Sequence, residues 1–202
     1  MEKSHDPDDL FKGIPLLRVA GICGIITPIF VISMILYAIQ LASWFSWGRN
    51  ALSDLGASEP TATIFNSSLI IGGIFAIIFA IGLLRLYLKS PLGLLSTSLI
   101  ILSMIFLCSI GVFPETVGSI HFYVSVAFFV SISGSLLLLS VAMIQIHQVK
   151  EGLFTFVIGF ITAITWGFPW KGVAIPEIIV SLAISIWSIR ISLIMLGMKP
   201  ER

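Results

Sequence analysis

The chain has 202 residues, 57% of them hydrophobic and only 10% charged, with a net charge of +1. Soluble domains carry roughly 25% charged residues, so this composition excludes an ordinary soluble domain. It fits a protein whose solvent is largely hydrocarbon, and no nucleic-acid partner is expected.

Crossing a hydrocarbon core of about 30 Å takes on the order of 20 apolar residues in a helix. Six stretches meet that length, at about 16–40, 64–86, 92–112, 119–145, 152–168 and 175–197. Only short polar segments separate them, which leaves no room for a soluble domain. Every backbone group in lipid needs a partner within the chain, and stretches of this length find those partners as helices rather than as a barrel. The expected architecture is a single all-α, polytopic membrane bundle of six transmembrane helices covering residues 1–202.

Residues 1–13 are polar and acidic, with His5, Asp6, Asp8 and Asp9. They lack a basic leading region and a small-residue cleavage site, so the first stretch is expected to stay as an anchor. A loop of about twenty residues follows it, carrying Trp44, Trp47, Arg49 and the run Asn50 to Pro60. A loop of that length dips back or folds over the bundle mouth. The second stretch carries Gly72, Ala76 and Ala80 at four-residue spacing, and the sixth carries Ser181 and Ser185. Such spacing lets helix backbones approach closely in lipid, and packing within the chain is the simpler use of it.

Phe113-Pro114-Glu115 closes the third stretch, and His121 falls just inside the fourth. The serines of the fourth (Ser125, Ser131, Ser133, Ser135, Ser140) lie on more than one helical face and can bond back to their own helix. His147, beside Gln148 and Lys150, reads as a solvated loop residue. The fifth stretch is short and closed by Gly167-Phe168-Pro169. It reads as a plain span, with a tilted or re-entrant segment as the alternative. Lys171 and Ile175-Pro176-Glu177 then lead into the sixth, where Trp187 reads as packing and Arg190 lies near enough to the end to snorkel. Cys23 and Cys108 fall in opposite membrane halves, too far apart for a disulfide.

Basic residues in short loops set orientation. Nine lie on the side shared by the termini and the even-numbered loops: Lys3, Lys12, Arg18, Arg85, Lys89, Lys150, Arg190, Lys199 and Arg202. Only Arg49 and Lys171 lie on the other. Both termini are therefore expected in the cytoplasm, in a multi-pass protein of the cell membrane. Trp44, Trp47, Trp166 and Trp170 gather near the outer surface, as an aromatic belt does.

On this topology three carboxylate-bearing segments share the outer face: Ser53-Asp54, Pro114-Glu115 and Pro176-Glu177, with Glu59-Pro60 beside the first. Helix starts account for part of this, because proline suits the first turn and an acid beside it complements the positive helix end. Asp54 and His121 are the least explained that way. Asp54 lies ahead of the helix start, and an ionisable His121 below the surface calls for a partner or a wet cavity. Asp54, Glu115, His121 and Glu177 are the candidate catalytic residues, with the histidine as base or ligand and the acids orienting it. The same four are candidate ligands for a divalent metal. Ser53, Asp54, Arg49 and Lys171 are candidate ligand-binding residues, the cations for an anionic headgroup or for pairing with Asp54 or Glu177. No glycine-rich phosphate loop supports a nucleotide, and His121 and His147 at opposite ends of one helix do not support a haem.

Asn50-Ala51-Leu52-Ser53-Asp54-Leu55-Gly56, Phe113-Pro114-Glu115 with His121, and Ile175-Pro176-Glu177 resemble the pattern of the DUF998 membrane proteins. That resemblance covers nearly the whole chain and implies six spans, without implying an agreed biochemical activity. Where that family tends to carry an acid followed by a base, Ile178 follows Glu177 here. Leu52 to Gly56 with Glu59, Pro60 and Ile64-Phe65 is also similar to a stretch of the Frag1/DRAM/Sfk1 membrane proteins, which implies a lipid connection. Three functions stand open. One is a polar outer pocket that binds or handles lipid or a small ligand. The second is an intramembrane lipid hydrolase or acyl-transfer enzyme using His121 with Asp54, Glu115 and Glu177. The third is a structural membrane subunit whose acids only cap helices.

Overall fold

A computed structural model describes residues 14–198, so the acidic lead at 1–13 and the basic Lys199 and Arg202 lie outside the described residues. Six helices follow in order: α1 (Ile14–Leu41), α2 (Thr61–Tyr87), α3 (Pro91–Val112), α4 (Ser119–Gln145), α5 (Val149–Ile164) and α6 (Ala174–Gly197). All six are long and apolar enough to cross a membrane, α5 with the help of the 3-10 turn Thr165–Gly167. The described residues contain no strand. The fifth stretch is thus a continuous helix, not a broken one.

Each helix packs on the next in sequence, and α6 closes back on α1, so the bundle is a ring. The closure is written in α1. Pro28 lacks the N–H that would bond the Gly24 carbonyl one turn earlier. The freed carbonyl accepts a hydrogen bond from Ser188 Oγ of α6 at 2.7 Å. A side chain at Gly24 would collide with Ser192 and with the Phe79 ring, so the helices meet only because the position is bare. Gly72 likewise lies against Val31 of α1, which places the small-residue spacing of α2 in packing within the chain.

The ring centre is filled from several sides. Trp187 is only 1% exposed; it lies 5.8 Å from the Phe79 ring in a T-shaped pair and donates its indole N–H to Thr155 Oγ1 of α5 at 3.1 Å. Ser103 of α3 donates to Ser131 of α4 at 2.8 Å. Most buried hydroxyls bond back to their own helix, as Ser135 does to the Ile132 carbonyl and Ser140 to the Leu137 carbonyl. A cavity of about 110 Å³ remains between Pro28, Phe79, Ile132 and Trp187.

α4 and α5 are zipped at one end only. A side chain at Gly152 would come within 2.9 Å of the Ser140 carbonyl, and one at Gly159 within 3.1 Å of the Leu137 N–H. Beyond Leu137 no comparable glycine contact joins the two helices among the described residues, and a groove opens there.

The loops sort into two ends. The Ala174 N–H bonds the Asn50 carbonyl at 2.9 Å, joining the start of α6 to the loop after α1. At the opposite end, Tyr87 donates to Gln148 Oε1 at 2.8 Å, and Arg190 meets Glu151 at 2.8 Å.

Candidate functional site

The loop between α1 and α2 folds down over the bundle mouth, and its own residues dictate the shape. Leu52 is 4% exposed and Leu55 fully buried, so these two plug the loop into the ring. Between them Ser53–Gly56 forms a 3-10 turn. The Asp54 carboxylate closes that turn by accepting from the Asn50 side-chain amide at 2.6 Å and from the Ala51 N–H at 3.1 Å. Asn50 in turn accepts from the Ser46 N–H at 2.9 Å. From α2, Thr61 donates to the Leu55 carbonyl at 2.7 Å and Asn66 to the Gly56 carbonyl at 3.0 Å. A side chain at Gly56 would strike Asn66 Oδ1, so the turn requires glycine for close approach.

The other acids converge on this turn. Glu177, in the first turn of α6, accepts the Leu52 N–H on Oε2 at 2.6 Å. It serves the distant loop, not its own helix end. Glu115 opens the short 3-10 turn Glu115–Val117 between α3 and α4. Its carboxyl is pushed up to about 7, first by partial burial, then by a hydrogen bond to Asp54 and by that residue's charge. Gly118, at φ 78°, turns the chain from here into α4, in a conformation that only glycine adopts without strain.

His121 is 7% exposed. Its Nδ1 lies 2.8 Å from the Phe113 carbonyl, and its Nε2 lies 3.4 Å from Ser125 Oγ one turn on. The carbonyl can only accept, so Nδ1 carries the proton and Nε2 is free to accept.

These residues ring the head of a cavity of about 870 Å³. Ser53, Glu115, His121, Ser125 and Glu177 make its polar end. Below them the lining follows one face of α4, at Val126, Phe129, Val130, Ser133, Gly134 and Leu137, with Ala163 and Trp166 opposite. From His121 to Leu137 this wall climbs about 24 Å at the helical rise. Val130 is 67% and Phe122 62% exposed, so the cavity is a groove open to the side of the bundle, not a sealed chamber. Trp166 crosses it to Phe129, with ring centroids 4.6 Å apart. Two features mark the trough as unfilled. Ser133 Oγ is buried without a hydrogen-bond partner, and a side chain at Gly134 would meet nothing within 4 Å.

Not all of the candidate residues stand at the groove. Asp54 does not line the groove; it stands behind Glu115 and spends its bonds on Asn50 and Ala51. Arg49 and Lys171 are exposed, line no part of the groove, and pair with neither Asp54 nor Glu177 among the described residues. The acids of the site therefore have no cationic side chain among the residues lining the groove. No group of three or more His, Cys, Asp or Glu among the described residues is arranged to hold a metal ion. The His121 nitrogens have Phe113 and Ser125 as their partners, not a carboxylate. Glu59 accepts from Thr63 at the surface, apart from the groove. Sequence reading did not single out Asn66 or Gly134. An amide inside an apolar stretch was the available signal for the first, and a glycine in mid-span for the second.

A family profile described as "Protein of unknown function (DUF998)" matches residues 25–193, from within α1 to near the end of α6. No curated protein matches the chain, and no solved structure matches it.

Proposed function

This chain belongs to the DUF998 family of membrane proteins, and we propose that it binds and handles lipid at the groove beside α4, in the cell membrane with the carboxylate end outward. The continuity of the groove carries this reading: one cavity joins a polar head to an apolar trough about 24 Å long. A bilayer hydrocarbon core is about 30 Å thick, so the trough has the reach of an acyl chain. The open side gives a chain access from the bilayer. The bias of nine basic residues against two supports the orientation.

The test uses Gly134, where a side chain enters open space. Gly134→Phe fills the trough without touching the fold. Native mass spectrometry of the purified protein should show bound lipid on the parent chain and much less on the variant. Equal lipid retention by both would remove the groove from the reading.

One contact favours an enzymatic reading as well. Ser125 Oγ faces the Nε2 of an imidazole whose Nδ1 is fixed on a carbonyl, which is the arrangement of a hydroxyl beside its base. An intramembrane hydrolase or acyl-transfer enzyme would use it on a lipid ester seated in the groove. Loss of lipid turnover in both Ser125→Ala and His121→Ala, with lipid binding intact, distinguishes this from binding alone.

A further inference from the structure

The groove holds an imbalance that its lipid-binding reading leaves unused. Glu115 and Glu177 line its head, and Asp54 stands against Glu115. No lysine or arginine lines the groove, and Arg49 and Lys171 are exposed residues outside its lining. The opposite end of the bundle shows the ordinary solution, where Glu151 holds Arg190 through two hydrogen bonds of 2.8 and 2.9 Å. At the head of the groove no lysine or arginine among the described residues answers the acids.

We infer that the groove selects single-chain amphiphiles with a cationic headgroup, an alkylamine or a quaternary ammonium, over neutral or anionic ones. The inference rests on the reading of the groove as a lipid site. An anionic head would add like charge beside the acids, with no basic side chain in the lining to offset it. A cationic head supplies the counter-charge that the lining side chains do not. Independently of the acids, the trough has room for an occupant, because a side chain at Gly134 would meet nothing within 4 Å.

The experiment places the full chain in zwitterionic nanodiscs. It offers an alkylamine, an alkyl glucoside and an alkyl sulfate of equal chain length, and counts bound copies by native mass spectrometry. The parent chain should take the amine first and the sulfate last. Glu115→Gln should weaken amine binding by about tenfold, the size of one lost charge contact partly screened by water, and weaken the glucoside far less, so that the ratio of amine to glucoside falls. Glu177→Gln, which keeps an acceptor for the Leu52 N–H, should act in the same direction. Equal binding of amine and glucoside, both reduced by Gly134→Phe, would overturn the headgroup inference and leave the lipid groove standing. Preference for the sulfate would overturn it as well. Insensitivity of all three amphiphiles to Gly134→Phe would sink the groove and the inference together.

Discussion

The two ends of this bundle treat their acids in opposite ways. At one end Glu151 meets Arg190 in a two-bond pair, with the guanidinium 4.7 Å above the Phe154 ring. At the other, Asp54, Glu115 and Glu177 gather with backbone N–H groups, an asparagine and one another as partners. The first arrangement is complete within the chain and fastens α5 to α6. The second satisfies hydrogen bonds but leaves the charge open, beside a groove. An acid whose charge is balanced is structural; an acid cluster without a cation has room for one.

The sharpest way to break this contrast is at Glu177. Removing its carboxylate strands the Leu52 N–H under a buried leucine. Leaving a buried donor unsatisfied costs about 1–3 kcal/mol, so Glu177→Ala should lower the thermal midpoint of the purified protein clearly. Glu177→Gln keeps an acceptor and should recover most of the loss. If alanine and glutamine variants unfold together, the tie between α6 and the loop is not a hydrogen bond.

The fold was legible in the sequence because lipid imposes one strong rule, and every apolar stretch became a helix within a few residues of its expected bounds. Three of the four candidate residues, Glu115, His121 and Glu177, do line one cavity. Asp54 stands behind the lining, and a carboxylate ahead of a helix start gives no sign of whether it faces a ligand or closes its own turn. Arg49 and Lys171 were assigned by side of the membrane alone, and side does not fix direction. The groove itself left almost no trace in the sequence. It lies along α4 beside Ala163 and Trp166, and the sequence does not tell its glycines apart: Gly152 and Gly159 are packed, while Gly134 is open. Only the three-dimensional arrangement tells these apart.

A second effect, smaller than the loss of Glu177, follows from the proton held at Glu115. Its carboxyl is raised from 4.5 to about 7 in the folded protein. A raised value means that the folded state binds the proton more tightly than the unfolded state. That contribution is fully present below about pH 4.5 and fades as pH rises through about 7. Thermal midpoints measured across this window should therefore fall with rising pH, and Glu115→Gln should remove that part of the slope. Glu115 is exposed, so solvent screening keeps the effect modest. A slope that is identical in the variant would show that the proton is not held there.

The smallest effect belongs to the balanced end, and its value lies in its sign. Arg190 and Glu151 form an exposed pair, and such pairs contribute little and weaken as salt screens them. Arg190→Ala should lower the thermal midpoint slightly at low ionic strength, and the difference from the parent should shrink as salt is added. The carboxylate end responds the other way. Salt supplies the cations that its acids lack and relieves their mutual repulsion, so the parent chain should gain on Glu115→Gln as salt rises. The two variants then move oppositely against the parent under the same titration. If both converge on the parent from below, the acids near the groove are already balanced, and the contrast between the ends does not hold.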